Sequence, residues 1–245
     1  MNQWSGIQRI VFALLLVATC PAVTHDSLAA APTEEELERW LNEDTAEPPP
    51  QVDEGELQFL DQPPASRTPH SQNTLVILDS SLADGWVELH QCYRGLDAVH
   101  EAEVVYRYKQ MRNLRVQSHA NISKAFVKGQ SVQLVDVQKN ATLCVRAEAR
   151  ILSRNDDGSF TLRNGPFHRK YLDGYFPLHV TLDVQFPASL LQVVRVVPAA
   201  QPGFKVEHTS GRAHIDAWFA GMLTVELHFT RSSVASARTS LATGV

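Results

Sequence analysis

Four groups of residues in this chain have side chains capable of chemistry. His90-Gln91-Cys92, with His100 close behind, offers imidazole and thiolate, a soft set that suits copper(I) or zinc. His90 and Cys92 are two apart, so on a strand both point the same way. That set is a weak alternative, because Cys92 has a competing use as a disulfide partner. No metal or other cofactor is expected. His179, His214, Asp216 and His228 form the second group, each on the polar phase of a late apolar–polar alternation. If those strands are neighbours, an outer His/Asp patch forms, able to hold a metal or move protons. No spacing in the sequence fixes that contact, so solvated outer-face residues are the default.

The third group is the segment Gly165–Leu178 (GPFHRKYLDGYFPL), which interleaves Phe167, Tyr171, Tyr175 and Phe176 with His168, Arg169 and Lys170. Gly165-Pro166 and Asp173-Gly174 mark turns. Aromatic and cationic side chains on one loop make a recognition surface for an acidic, sugar or peptide partner. The competing reading has the aromatics plug one end of the domain.

The fourth group is the three cysteines, Cys20, Cys92 and Cys144. Their number excludes a disulfide-dense miniprotein and a four-cysteine zinc site. Cys20 lies in a segment read below as an export signal. Once it leaves, Cys92 and Cys144 are the pair that an oxidising compartment joins. Polar neighbours, His90 and Arg146, place that bridge on an outer or edge face. The usual catalytic signatures are missing: there is no G-x-S-x-G, H-E-x-x-H, GxxxxGK[ST], GxGxxG or C-x-x-C.

These residues need elements to position them. Residues 1–31 read as an export signal, with Arg9 ahead of the apolar run Ile10–Ala18 and small residues after it. The run is too short to span a bilayer, which needs about 20 residues. In Val17-Ala18-Thr19-Cys20, Thr19 stands where a lipoprotein signal wants Gly or Ala. A lipid anchor at Cys20 is therefore the minority reading.

Residues 32–72 hold eleven acidic and two basic residues, a net of -9, with Pro48-Pro49-Pro50 and Pro63-Pro64 among them. Such composition reads as a disordered acidic arm. Within it Thr33-Glu34-Glu35-Glu36 makes a capping box, and Leu37, Trp40 and Leu41 share one face of a short helix over 33–42. That face and a second apolar island, Gly55–Leu60, either dock a partner or pack on their own domain.

From residue 73 to 231 the period is two, the signature of one-sided strands. His179–Phe186 (HVTLDVQF) and Leu223–Phe229 (LTVELHF) alternate apolar and polar without a break. Roughly ten to twelve short strands are expected, with 120–127 ambiguous between helix and strand. The fold class is all-β: an antiparallel β-sandwich, one large or two small with a seam near Gly165, and a loose tail over 232–245.

Net charge is -5 and apolar content 44%, which excludes a globally basic nucleic-acid binder and a wholly disordered chain. The function expected is an exported, non-catalytic binding or assembly module of a bacterial envelope, periplasmic or secreted. Its partner would be a protein or envelope component met through Gly165–Leu178 or the arm. The alternative is a periplasmic metal-dependent hydrolase built on His179, His214, Asp216 and His228.

Overall fold

The computed structural model describes residues 33, 55–172 and 174–232. The chain divides into two compact units, Met1–Pro50 and Gln51–Val245, and the second carries everything below. The expected export signal, the expected arm helix with Leu37, Trp40 and Leu41, and the expected tail beyond Ser232 lie outside the described residues.

Alternation becomes burial as the sequence requires. In β11 (Leu178–Gln185), Leu178, Val180, Leu182 and Val184 are buried while His179, Thr181 and Asp183 are not. In β14 (Arg212–Ala220), Ala213, Ile215, Ala217 and Phe219 are each 0% exposed. In β15 (Leu223–Arg231) the inward set is Leu223, Val225, Leu227 and Phe229.

These strands belong to two sheets. The larger joins β1 (Gln58–Phe59), β14, β11, β2 (His70–Val76), β3 (Trp86–Leu96), β6 (Ser131–Arg150) and β4 (Val99–Val105) in that order. Beside β14 lies β13 (Phe204–Thr209), and beside β6 lies β5 (Met111–Lys128). The smaller sheet runs β12 (Leu191–Val197), β15, β8 (Phe160–Phe167), β7 (Leu152–Arg154). Their apolar faces share one core, where Phe186 meets Phe229 edge-on at 5.2 Å. Both sheets draw strands from before and after Gly165. Gly165-Pro166 sits inside β8 at a register shift against β15 rather than at a turn.

Three features depart from the expected pattern. First, β2 and β11 run parallel. Residues 77–177 lie between them in the chain, the kind of long crossover a parallel pair requires. Second, β5 and β6 are 18 and 20 residues long and form a single ribbon. The stretch 120–127 is strand. Polar runs at 117–121 and 138–140 hide this continuity from an alternation count. Asn113, Asn121, Asp136 and Asn140 take positive φ there, which Asn and Asp tolerate, so the ribbon bends without ending. Third, α1 (Ser81–Asp84) is a single turn closed by Gly85 at φ 78°, too short to show a helical period.

The large sheet also begins earlier than the charge pattern implies. Phe59 packs on Phe204 at 5.1 Å, and Leu60 N–H donates to the Trp218 carbonyl at 2.8 Å. The island Gly55–Leu60 therefore packs on its own domain. Ser71, Asn73 and Gln91 are buried polar groups that hydrogen-bond to one another, with Gln91 Oε1 left without a partner among the described residues. Asn73 Nδ2 donates to the Thr181 carbonyl at 3.1 Å, and Gln91 Nε2 donates to Asn73 Oδ1 at 2.5 Å. This network ties β2 to β11 and β3, the strands that carry the outer-face residues described next.

Candidate functional site

Two surfaces hold the residues that the sequence singles out. The first is a small hairpin, β9 (Arg169–Tyr171) and β10 (Gly174–Phe176), paired antiparallel. Phe167 is buried at the end of β8 and roots the hairpin in the core. Lys170 and Tyr175 lie opposite each other across the two strands, Tyr175 half-buried and Lys170 exposed. The Tyr175 ring packs on Gly55, where an added Cβ would lie 2.6 Å from it. His168 meets the Tyr175 ring edge-on at 5.9 Å. Burial, and next Arg107, hold the His168 imidazole below its ordinary pKa.

Arg169 braces the other face. Its Nε and Nη2 donate to both oxygens of Asp97, at 2.9 and 2.8 Å. Asp97 sits at the break between β3 and β4, so this bidentate pair fixes the hairpin to the large sheet. Beyond the brace the apolar groups are bare: Tyr171 is 50% exposed, Phe176 43% and Leu172 88%. Leu172, at the hairpin tip, takes φ +50°. That region favours Gly, Asn or Asp, so a leucine there is doubly unfavourable, in backbone and in solvent. Met222, 38% exposed, lies beside this end and meets Tyr175 Oη through its sulfur at 3.8 Å.

The second surface is the outer face of the large sheet. Register sets its rows, because residues directly paired across strands share a face. One row runs Trp218, His179, His70 and Arg94. Its rings stack, His70 on His179 at 3.9 Å and His179 on Trp218 at 4.0 Å. His179 Nε2 lies 2.8 Å from Asp216 Oδ1, and His70 Nε2 lies 3.0 Å from Thr181 Oγ1. Burial, and next the charge of His179, lower the His70 pKa to about 4. Further along, Arg212 Nε donates to Asp183 Oδ1 at 2.8 Å and His214 Nδ1 lies 3.1 Å from the same oxygen.

His179, His214 and Asp216 thus share a face that His228 does not. His228 lies on β15 in the other sheet, with Nδ1 3.2 Å from Thr161 Oγ1. Among the described residues no three His, Cys, Asp or Glu side chains come together as a metal site. His90, Cys92 and His100 are also separated in use: Cys92 is in a disulfide, and His100 Nδ1 lies 2.6 Å from Asp136 Oδ1.

The disulfide joins Cys92 to Cys144, which are directly opposed across β3 and β6 with Cα atoms 4.1 Å apart. It lies half-buried in the outer-face row between Gln72 and Ser118. His70, Asp183, Arg212 and Trp218 are members of this face that the sequence reading did not single out. The phase of 178–185 and 212–218 contained the last three. His70 lay in the stretch read as arm.

No family model matches the chain, and no curated protein matches it. Among solved structures it is similar to an M1 zinc metallopeptidase from Deinococcus radiodurans bound to a Tyr-Ser-Ala substrate. That match has 12% identity and a TM-score of 0.38, over 70% of this chain and 42% of that one. A two-domain M1 zinc metallopeptidase bound to L-tryptophan aligns at 12% identity and a TM-score of 0.36, over 67% and 43% of the two chains. The chain spans less than half the length of these proteins.

Proposed function

We propose that this protein is an exported, non-catalytic binding or assembly module of a bacterial envelope, with the β9–β10 hairpin as its contact element. The observation that carries the reading is Leu172, an 88% exposed leucine at positive φ, flanked by exposed Tyr171 and Phe176. Neither solvent nor the turn favours leucine there, so its advantage lies in a contact outside the domain. The brace supports the same reading. Arg169 on Asp97 and Tyr175 on Gly55 hold the tip in one orientation, which lowers the entropy lost on binding. Phe167, His168, Arg169, Lys170 and Tyr175 support the contact, while Tyr171, Leu172 and Phe176 make it.

The test uses immobilised full chain and envelope extract of the native host. Wild type should retain a partner that the L172D and F176S variants release. Both substitutions fall on exposed side chains, so the thermal midpoint should stay within about 2 °C. Equal retention by wild type and both variants, with folding intact, shows that the hairpin is not the contact element.

A further inference from the structure

On the outer face of the large sheet most arginines have a partner. Arg94 Nε donates to Gln72 Oε1 at 2.6 Å, Arg112 Nε to Glu148 Oε2 at 2.8 Å, Arg150 Nε to the Asp84 carbonyl at 2.8 Å, and Arg212 to Asp183. Arg115 and Arg146 are the exceptions. They are directly opposed across β5 and β6, and among the described residues neither guanidinium has an ion-pair or hydrogen-bond partner. Arg146 Nε is buried and unpaired. Like charges directly opposed on neighbouring strands destabilise a sheet, with Cβ atoms only about 5 Å apart. On the other side of Arg146 the row continues with His90, then Thr74.

The nearby carboxylates do not bond either guanidinium, although the charge of Arg115, after Asn113 and Arg112, helps hold the Glu148 carboxyl below its usual pKa. Glu148 gives Oε2 to Arg112 and Oε1 to Asn113 Nδ2 at 2.6 Å. Glu88 lies 3.8 Å from His90 Nε2. Asp183, two strands beyond His90, is engaged by Arg212 and His214. On β5 the neighbour toward the disulfide is Ser118, a hydroxyl. Burial, then Arg146, hold the His90 imidazole below its ordinary pKa, consistent with a local excess of positive charge.

We infer that Arg115 and Arg146 form a binding site for a tetrahedral oxyanion, a phosphate or sulfate group, bridged between the two guanidiniums and flanked by His90 and Ser118. Guanidinium forks match such oxyanions with two parallel N–H donors each. The bound anion turns a repulsive cross-strand pair into an attractive triplet and gives Arg146 Nε an acceptor. This site is separate from the hairpin and stands or falls without it.

The experiment is an arginine Nε–Hε NMR titration of the full chain with inorganic phosphate and, separately, with sulfate. Sodium chloride keeps the ionic strength constant. The expected result is saturable shifts at Arg115 and Arg146 with at least one of the two anions and none with chloride. R115Q and R146Q should each weaken binding roughly tenfold or more, while R154Q, on the smaller sheet, leaves it unchanged. A thermal melt without added oxyanion guards against misfolding: R115Q should melt at or above wild type, because it removes the repulsion. Shifts that are linear in anion and spread over all exposed arginines overturn the proposal, as does binding that survives R115Q and R146Q.

Discussion

Replacing Cys92 and Cys144 together with alanine perturbs a crosslink and little else. Both side chains lie on the outer face, outside the shared core, so the substitution opens no large internal cavity. The loss is then chiefly that of a loop constraint on the unfolded chain. With a sequence separation of 52, the loop-entropy relation gives about 4 kcal/mol at 25 °C. Domain stabilities are about 5–15 kcal/mol, so this is a large fraction of the whole. For a domain of this size 1 kcal/mol moves the midpoint by about 2–4 °C, so the double variant should melt about 8–16 °C lower. Calorimetry of wild type and variant under non-reducing conditions reads it, with a thiol titration of unfolded, unreduced wild type alongside. Reactive thiols at both Cys92 and Cys144 refute the bridge. A variant that melts within about 2 °C of wild type refutes the loop argument while leaving the bond in place.

Other consequences follow from single residues. His70 has a folded pKa of about 4 against 6.5 for an ordinary histidine. The unfolded chain therefore binds the extra proton between those values, and stability falls as pH drops from 6.5 to 4, reaching its full loss below 4. Allowing for solvent at the half-exposed ring, about 1–2 kcal/mol of that loss should vanish in H70Q, as seen in urea melts at pH 7 and pH 4. Asn73→Ala removes one of two acceptors of Gln91 Nε2 and the donor to the Thr181 carbonyl, and should cost about 2–3 kcal/mol by chemical denaturation. Gly221 has φ +84° and an added Cβ would lie 2.0 Å from the Glu56 carbonyl oxygen; Gly221→Ala should cost at least about 2 kcal/mol in the same assay. Truncation through Gln72 removes Phe59 and buried Ser71, and the remaining chain should lose its cooperative thermal transition.

The sheet strands were most legible where one face meets the core and the other meets solvent. HVTLDVQF and LTVELHF announce β11 and β15 because every second residue is apolar. The ribbon of β5 and β6 was not legible in full. Its outer half is solvated along much of its length, so Ser118-His119-Ala120-Asn121 and Gln138-Lys139-Asn140 look like turns although the backbone remains paired. Arg115 facing Arg146 depends on bulges in β5, and no sequence period reports a bulge. The disulfide was legible from cysteine number alone, whereas its place as a directly opposed pair needed the register. His179, His214 and Asp216 shared a phase in the sequence, but sheet membership, which excludes His228, is a matter of topology. Composition drew the start of the β region at residue 73, because Pro63-Pro64 and Asp61 outweigh a two-residue strand at Gln58–Phe59. The parallel pairing of β2 and β11 brings His70 onto the stack, and a sequence gives no direct sign of such a long-range crossover.

The hairpin tip is proposed to meet a partner. Site-specific photocrosslinking in the native host tests it most directly, with a photoreactive residue at Leu172 and, in a second strain, at Lys139 on the exposed ribbon. One dominant crosslinked species is expected from position 172, absent from position 139 and lost when Phe176 is also changed to serine. No discrete adduct from 172, or the same adducts from both positions, would contradict it.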